Sequence, residues 1–210
     1  MNPIPNEAMQ QLFTEARSFS AWLPKDVSSQ TLHDLYDLMK WGPTSANTCP
    51  ARIVFVKAGP EKDTLISCLA PGNVAKVKAA PVTAIIAQDE RFYDQLPKLF
   101  PHAPSMREMF ASDQALAAST AFRNSSLQGA YFILAARALG LDCGPMSGFD
   151  NKKLDEAFFV GTSWKSNFLC SVGYGDRSKL YPRSPRLTFE EACKVVEGKA
   201  EGLQAALAGT

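Results

Sequence analysis

No proline occurs between Asp113 and Leu141, and this uninterrupted stretch constrains the fold more than any other feature of the chain. Gly140 lies near its end and is a natural helix stop. Within the stretch, apolar side chains recur every three or four residues, the spacing of one face of an α-helix. These side chains are Phe122, Leu127, Ala130, Tyr131, Leu134 and Ala138. The sequence therefore predicts one long helix here.

Shorter segments on both sides predict a mixture of strands and helices. Short apolar segments rich in β-branched residues predict strands at 51–56, 81–87 and 167–175, and 141–146 is a candidate fourth strand. Helical spacing and helix-start residues predict further helices at 6–17, 28–41, 60–69, 150–159 and 188–207. The last of these opens on Thr188 and Glu191, which have the spacing of a capping box. Residues 91–110, which contain three prolines, predict an irregular excursion with two short helices.

The order of these elements is not a regular alternation of strand and helix. A doubly wound parallel sheet requires that alternation, so the order favours the α+β class. No repeat, low-complexity segment or linker interrupts the 210 residues. We therefore expect one domain over residues 1–210.

Composition and charge exclude several classes of function. The formal net charge of +1 lacks the basic excess that nucleic-acid binding normally needs. No apolar run approaches the roughly 20 residues that cross a bilayer, and the N-terminus lacks the pattern of a signal peptide. The five cysteines are scattered and form no CxxC pair. These features predict a reduced, cytoplasmic protein that binds neither nucleic acid nor membrane.

Familiar catalytic and binding motifs are incomplete. The segment "GYGDRS" has two glycines of a dinucleotide-binding loop, but Ser178 stands where the third belongs. In "GPMSG" the serine is one place too late for a hydrolase nucleophile elbow. His33 and His102 lack metal-ligand spacing, so we expect no metal site. Cys49 has no base nearby in sequence, which favours a small turn residue over a nucleophile.

What remains is a set of polar and basic residues at the ends of apolar elements. They occur in the segments "EARS", "GPTSAN", "GNVAK", "GPMSGFD" and "RSPR". Taken singly, each has an ordinary explanation as a surface charge, a turn glycine or a solvated loop residue. The two glycines of "GPMSGFD" would also let the backbone approach a flat ligand closely.

Taken together and in this order, the segments resemble the nitroreductase superfamily of FMN enzymes. The resemblance covers nearly the whole chain. It is closer still to the malonic semialdehyde reductases of the pyrimidine-degradation (Rut) pathway. The segments that carry it are "LMKWGPTSAN", "PARIVF", "APVTAI", "FYDQLPKLFPH", "TAFRNSS", "ALGLDCGPMSGFD", "DEAFF", "GYGDRSKL" and "PRLTFEEAC". The resemblance implies a nitroreductase-like fold, with a central, mostly antiparallel sheet flanked by helices, in an intertwined homodimer.

The resemblance also assigns cofactor-binding roles to residues of this chain. The positions that match the phosphate-binding residues are Arg17, Ser18, Arg183 and Arg186. A guanidinium suits that role because it can bind two phosphate oxygens at once. In the family, a turn at the dimer interface contributes to the cofactor site, partly from the opposite subunit. The residues that match this turn are Pro43, Thr44, Ser45 and Asn47. Trp41, which precedes the turn, is expected in the core.

Two further groups complete the implied flavin site. Asn73 and Lys76 match an Asn-x-x-Lys pair that faces the pyrimidine end of the flavin, and Lys78 is an alternative to Lys76. The loop whose backbone amides face flavin N5 matches Pro145, Met146, Ser147 and Gly148. Family members often carry glutamate where Ser147 stands, and contact there is through the main chain.

The implied reaction is transfer of a hydride from NADH or NADPH through FMN to a small-molecule acceptor, with no catalytic protein residue. In the closest branch the acceptor is malonic semialdehyde and the product is 3-hydroxypropionate. Arg52 and Arg123 lie near the motifs, and we expect each to form a structural salt bridge rather than to anchor the acceptor.

Three alternatives remain open at this point. The first is a broad nitroaromatic, quinone or enone reductase, with acceptor choice set by a lid around residues 92–110. The second is a non-catalytic flavin-storage or redox-sensing module. The third is a helical interaction protein that binds no ligand.

Overall fold

Within residues 2–196, which the computed structural model describes, the strands form a four-stranded sheet in the order β1-β2-β4-β3. The strands are β1 (Ala51–Val56), β2 (Val82–Asp89), β3 (Asp142–Met146) and β4 (Trp164–Gly173). Every neighbouring pair is antiparallel. The α+β class and the antiparallel sheet predicted from the sequence are therefore confirmed, and the candidate strand at 141–146 belongs to the sheet as β3.

Helices surround the sheet. Those before the third strand are α1 (Asn6–Met9), α2 (Ser29–Met39), α3 (Pro60–Ser67), α4 (Pro71–Ala79), α5 (Leu96–Leu99), α6 (Ser105–Ser112) and α7 (Gln114–Ala138). Those after it are α8 (Asn151–Phe158) and α9 (Phe189–Ala192). A π-helical turn, Gln10–Thr14, extends α1, and short 3-10 turns occur at Ser45–Asn47, Phe92–Gln95 and Arg177–Lys179.

The two faces of the sheet carry different helices. Alternate strand residues such as Ile86, Cys143 and Cys170 pack in one apolar cluster with α2 and α7. The intervening residues, such as Ile85 and Leu169, pack in a second cluster with α3, α4 and α8. This alternation follows from the two-residue period of a β-strand, and it separates the chain around the sheet into an α7 face and an α4 face.

The long helix predicted between Asp113 and Leu141 is confirmed as α7. Asp113 caps its start by accepting from the Leu116 amide at 2.9 Å, and Gly140 follows its end with φ +75°. Two residues of the recurring apolar face are nevertheless exposed, since Phe122 is 56% and Leu127 42% accessible. The buried side is instead lined by small and polar residues, among them Ala117, Thr120, Ala121, Asn124, Ser125, Gln128 and Gly129.

Two predicted elements differ at the N-terminal side. The helix predicted over 6–17 ends at Thr14 after its π turn, and Met9 and Phe13 are 38% and 57% exposed. Helix α4 was not predicted, because Gly72 and Asn73 have weak helix propensity and draw attention to a turn. Pro71 at the first helical position supports α4, since proline fixes a helical φ and has no N–H to leave unpaired.

Within the described part of the chain, residues 180–196 belong to a second unit, distinct in its contacts from residues 2–179. In it, Thr188 and Glu191 form the predicted capping box around α9. The helix predicted over 188–207 already ends at Ala192, where Cys193 is extended with φ −133° and ψ 150°. Residues 197–207 of that prediction lie outside the described part of the chain. The single-domain expectation stays a prediction.

Among the described helices, none combines the length and the hydropathy needed to cross a bilayer.

Candidate functional site

Asn73 and Lys76 of α4 meet the loop that follows β3. The Asn73 side chain donates through Nδ2 to the Gly148 carbonyl at 3.0 Å and accepts at Oδ1 from Lys76 Nζ at 3.0 Å. The Ala70 amide donates to the same Gly148 carbonyl, also at 3.0 Å. A Cβ on residue 148 would lie 2.6 Å from Asn73 Nδ2, so this close approach requires glycine. The predicted Asn-x-x-Lys pair and the "GPMSG" loop are therefore one connected cluster.

The helical geometry of α4 distinguishes the two candidate lysines. Residues three apart share a helix face, which is why Lys76 reaches Asn73. Lys78 is exposed and lines a different groove together with Lys62. There, Lys62 Nζ donates to the carbonyls of Lys78 and Ala80 at 3.0 and 2.6 Å, and burial lowers the pKa of Lys62.

Arg17 and Ser18 lie beside β3. Ser18 forms a parallel bridge with Cys143, and the Phe19 amide donates to the Cys143 carbonyl at 2.9 Å. The segment 17–19 thus runs along the same edge strand that continues into the 145–148 loop. Arg17 is half-buried and Ser18 is exposed. We call Arg17, Ser18, Asn73, Lys76 and residues 145–148 the β3-edge cluster.

The β3-edge cluster is rich in hydrogen-bond donors and contains no carboxylate. It supplies a guanidinium, an ammonium, an amide and two hydroxyls. The backbone N–H groups of Ser147 and Gly148 have no acceptor among residues 2–196. Such a donor set suits an anionic group together with the carbonyl oxygens and ring nitrogens of a heterocycle, and the glycine gives a flat ring access to the backbone. The residues present therefore fit a flavin nucleotide.

The predicted turn at Pro43–Asn47 lies elsewhere, ahead of β1. Thr44 Oγ1 accepts from the Cys49 amide at 3.2 Å and closes the turn. Asn47 Nδ2 donates to the Leu99 carbonyl at 2.8 Å, which ties the turn to α5. Ala46, Asn47 and Cys49 have φ of 48°, 48° and 39°, the left-handed region that residues with a Cβ rarely adopt. We call residues 42–50 the β1-edge turn.

One copy of the chain does not bring the two groups together. The strands β1 and β3 are the two edges of the sheet, and three strand spacings of about 4.8 Å separate them by about 14 Å. The groups also lie on different faces, because side chains of α7 bond to the turn whereas Asn73 and Lys76 belong to α4. Each group is therefore half of the predicted site.

Comparison with known proteins identifies the fold and the family. The family model described as "Nitroreductase family" matches residues 2–174. The chain belongs to the nitroreductase family. A protein of Cupriavidus pinatubonensis that bears the name NADH dehydrogenase/NAD(P)H nitroreductase is 56% identical over 192 residues, 90% of this chain and 98% of that protein. HadB of Ralstonia pickettii bears the same name and is 55% identical, over 89% of this chain and 96% of its own.

Solved structures share the fold at low sequence identity. A nitroreductase of Exiguobacterium sibiricum, solved in complex with FMN, superposes with a TM-score of 0.81 at 20% identity, over 93% of this chain and all of that one. The enone reductase CLA-ER, from gut-bacterial fatty acid metabolism, superposes with a TM-score of 0.75 at 15% identity, over 93% of this chain and all of that one. The nitroreductase-like fold predicted from the sequence motifs is confirmed.

Two predicted site residues of this nitroreductase-family chain lie in its second unit. Arg186 Nη1 donates to the carbonyls of Ser184 and Pro185 at 3.1 and 3.0 Å, so it folds back on its own loop. Arg183 is exposed and precedes that loop. The assignment of both residues to a phosphate stays a prediction.

The expectation that Trp41 packs in the core is wrong for the single chain, since its side chain is 80% exposed. Trp41 lines a cavity of about 460 Å³ next to the β1-edge turn, with Tyr36, Lys40, Gln95 and Leu99. The helix α2 ends at Met39, so Trp41 continues beyond the face that buries Leu32, Leu35 and Met39.

Arg52 forms the structural salt bridge expected of it. Its Nη2 lies 2.6 Å from Asp89 Oδ2, and both side chains are largely buried. Its Nη1 donates to the carbonyls of Cys49 and Ala51 at the end of the turn. Arg123 is exposed on α7, and no ion pair of Arg123 occurs among residues 2–196.

Asn124 and Gln128 were not among the predicted site residues. From α7, their side chains accept from the amides of Ser45 in the turn and of Ala51 directly after it. The available signal was their spacing. Polar residues four apart lie on one helix face, and here that face also carries Ala117 and Ala121. Small neighbours on the same face would have indicated that the polar pair faces another part of the chain and not water.

Proposed function

We propose that this chain is an FMN-dependent oxidoreductase that uses NADH or NADPH as hydride donor. The observation that carries the proposal is the β3-edge cluster, in which Asn73 joins the Lys76 ammonium to the Gly148 carbonyl. Membership of the nitroreductase family and the names of the NAD(P)H nitroreductase relatives support it. The FMN complex of a protein with the same fold supports the choice of flavin.

Arg17 and Ser18 would bind the FMN phosphate. A phosphate monoester carries nearly two negative charges at neutral pH, and arginine binds it in a bidentate manner that lysine cannot reproduce. Ser18 adds a hydroxyl donor.

Bound FMN would supply the hydride chemistry between NAD(P)H and the acceptor. Lys76 would hold a fixed positive charge at the pyrimidine end, where reduction builds negative charge. Asn73 would keep that ammonium in place through the 3.0 Å bond to its Oδ1. The main chain of Pro145, Met146, Ser147 and Gly148 would face the reacting edge of the ring and exclude water from one side of it.

The complete site would need a homodimer. Pro43, Thr44, Ser45 and Asn47 would reach the flavin from the partner subunit, because their own copy holds them at the opposite edge of the sheet. Exposed apolar side chains on α7 and at the end of α2 give a second copy something to cover, since such patches commonly mark interfaces. They are Leu116, Phe122, Leu127, Tyr36, Leu38 and Trp41.

We propose malonic semialdehyde as the acceptor, reduced to 3-hydroxypropionate. The support is the resemblance of the long sequence segments to that branch. The cavity of about 460 Å³ beside the turn offers space for a small acceptor. A cytoplasmic location fits such a metabolic role and stays a prediction.

A second candidate is a reductase with broad acceptor tolerance. The relatives are named as nitroreductases, and CLA-ER, which shares the fold, is an enone reductase. Residues 92–110 would set the choice, since they form the short helices α5 and α6 and reach the turn through Leu99. Rates with malonic semialdehyde and with a nitrofuran, measured side by side, distinguish the two candidates.

The test is an anaerobic titration of the purified protein. We expect a yellow protein whose absorbance band in the blue is bleached by NADH or NADPH and restored by the acceptor. A colourless protein that takes up no added FMN would contradict the proposal, and a yellow protein that neither nucleotide bleaches would identify a flavin-storage module.

Lys76→Met and Lys78→Met form a matched pair for this test. Both remove one ammonium from α4, but only Lys76 contacts Asn73. We expect Lys76→Met to lose FMN and Lys78→Met to retain it. Equal retention by both variants would remove Lys76 from the site.

A further inference from the structure

We propose that Asn124, Gln128 and Tyr131 of α7 are positioning residues that hold the β1-edge turn in its cofactor-binding shape. None of them belongs to the predicted cofactor contacts. The inference rests on the proposed function, because it assumes that the turn lines a flavin site. It adds a requirement to that function, namely that a helix on the far side of the turn determines whether the site forms.

All three side chains bond to the backbone of the same short segment. Asn124 Oδ1 accepts from the Ser45 amide at 2.8 Å, and Gln128 Oε1 accepts from the Ala51 amide at 2.8 Å. The Tyr131 hydroxyl donates to the Pro43 carbonyl at 2.9 Å. Residues 124, 128 and 131 follow the i, i+4, i+7 spacing of one helix face, so α7 presents them to the turn as a row.

Tyr131 also covers the start of the turn with its ring. A Cβ on residue 42 would overlap the ring carbons of Tyr131, so Gly42 is the residue that permits this packing. The hydroxyl at the end of the same ring then reaches Pro43. Ring packing and hydrogen bond together fix the position where the chain leaves α2 and enters the turn.

The turn needs such restraint because its backbone is unfavourable by itself. Ala46, Asn47 and Cys49 all lie in the left-handed region, and none is glycine. Residues with a Cβ persist there only where the surrounding structure holds them, and such positions concentrate at functional sites. The α7 row holds the two flanks of this segment, at Pro43 and Ser45 before it and at Ala51 after it.

The burial of the two amides makes their bonds specific. Asn124 is 2% and Gln128 6% exposed, so both side chains are largely removed from bulk water. A buried alanine or leucine on the inner face of a helix needs no hydrogen bond. A buried amide oxygen, by contrast, is destabilising unless it accepts one. Asn124 finds that donor at Ser45 in the turn, and Gln128 finds it at Ala51, the residue that directly follows the turn.

The turn is also tied on its other side. Asn47 Nδ2 donates to the Leu99 carbonyl of α5, in the region predicted to be the lid. Movement of α5 would therefore pull on the turn, and the row on α7 would resist it.

The experiment compares four variants of the full chain, two at Gln128 and one each at Tyr131 and Thr120. Gln128→Met keeps the length of the side chain and removes its strong acceptor, and Tyr131→Phe removes only the hydroxyl. Thr120→Val is the control, since Thr120 is buried on the same helix and meets the row through its backbone carbonyl, which accepts from Asn124 Nδ2 at 2.9 Å and which the substitution keeps. The measurements are the hydrogen-exchange rates of the Ser45 and Ala51 amides and the dissociation constant for FMN.

We expect Gln128→Met to speed exchange of the Ala51 amide at least tenfold and to weaken FMN binding at least tenfold. Tyr131→Phe, which keeps the ring and its packing, should weaken FMN binding several-fold and alter the visible circular dichroism of the bound flavin. Gln128→Glu, which keeps an oxygen acceptor, should restore most of the affinity. Thr120→Val should match the wild type in both measurements.

Equal FMN affinity and equal exchange in Gln128→Met, Tyr131→Phe and wild type would overturn the inference. A loss in Thr120→Val as large as that in Gln128→Met would also overturn it, because the effect would then be general to α7. If the wild type binds no FMN, the proposed function fails. The exchange rates alone then decide whether the row holds the turn, so the two failures are distinguishable.

Discussion

Asn73 joins two parts of the candidate site through one amide group. It donates to the Gly148 carbonyl and accepts from Lys76, a pairing that needs both a donor and an acceptor on one side chain. The Asn-x-x-Lys spacing was readable in the sequence, because residues three apart share a helix face. The contact with Gly148 was not, since the two residues are 75 positions apart and nothing local relates them.

The Thr48 side chain lowers the free energy of unfolding. Its hydroxyl is fully buried in the β1-edge turn and has no hydrogen-bond partner in the described chain. An unpaired buried hydroxyl costs about 1–3 kcal/mol, and valine has the same shape without it. Thr48→Val should raise the free energy of unfolding by about 1 kcal/mol in a denaturant titration.

Thr83→Val is the matched control for that experiment. The Thr83 hydroxyl is also buried, but it pairs with Ser171 Oγ at 2.9 Å. Its removal leaves Ser171 unpaired, so Thr83→Val should lower the free energy of unfolding by about 1–2 kcal/mol. The two substitutions should therefore change the free energy of unfolding in opposite directions. A decrease in both variants would contradict the conclusion that the Thr48 hydroxyl is destabilising.

Asp176 gives a prediction in pH. The Ser178 side-chain hydroxyl and then the Ser178 amide donate to Asp176 Oδ1, at 2.7 and 3.0 Å, and these bonds lower the pKa of Asp176. Ser178→Ala removes the stronger cause, so the pKa of Asp176 should rise toward its usual range. The measurement is a carbon-detected NMR titration of the Asp176 carboxyl.

The sign of the accompanying stability change follows from linkage. A carboxyl whose pKa is lower in the folded than in the unfolded state stabilises the fold above the unfolded pKa. That contribution is lost as the pH falls through the folded pKa. The free energy of unfolding of the wild type should therefore exceed that of Ser178→Ala most at neutral pH. The difference between the two proteins should shrink as the pH falls. A pKa that is the same in both proteins would contradict this account.

Helix α7 was predictable in its existence and not in its orientation. The absence of proline and the stop at Gly140 gave its length, which depends on local chemistry. The recurring apolar residues Phe122 and Leu127 are exposed in the single chain, while Asn124 and Gln128 face the interior. Periodicity alone identifies the apolar face of a helix, and it does not distinguish a core from a surface that a second copy would cover.

Helix α4, in contrast to α7, was not predictable even in its existence. Its sequence, "PGNVAKVKA", has weak local helix propensity, so the sequence analysis did not assign a helix there. Val77 is fully buried against the sheet, and this tertiary packing forms the helix in spite of Gly72 and Asn73. The proposed cofactor roles of Asn73 and Lys76 therefore rest on the family resemblance and not on a predicted helix.

Gly129 tests the close approach of α7 to the sheet. A Cβ at this position would overlap the ring of Phe168 on β4. Alanine improves helix propensity by about 1 kcal/mol, while overpacking a core costs about 1–3 kcal/mol. We expect the clash to prevail, so Gly129→Ala should lower the free energy of unfolding by about 1 kcal/mol.

Ala130→Gly supplies the reference for this substitution. Ala130 is the next residue on α7 and is exposed, so its replacement changes helix propensity without a change in packing. A loss of about 1 kcal/mol is expected from propensity alone. A gain in stability for Gly129→Ala would show that Phe168 moves aside freely, and it would contradict the tight packing described for α7.

At the scale of the whole molecule, the sheet keeps the two halves of the site apart. The β3-edge cluster and the β1-edge turn lie at opposite edges and on different faces. The sequence motifs named most members of both halves, because each half depends on short segments. The proposal that they assemble across two copies rests on the family resemblance, since no spacing within one chain encodes which copy supplies which half.

Mixed dimers test this assembly most directly. One chain carries Lys76→Met in the β3-edge cluster, and the other carries Ser45→Trp, which obstructs the β1-edge turn. If each site takes its cluster from one copy and its turn from the other, both variant homodimers should lack FMN. The mixed dimer should contain one site with both changes and one with neither.

The decisive measurement is therefore the FMN content of the purified mixed dimer, obtained with two affinity tags and read from its flavin absorbance. We predict one FMN per mixed dimer, half the content of the wild type. A mixed dimer without FMN, or a wild-type monomer that holds FMN tightly, would mean that each copy builds its site alone and would contradict the account.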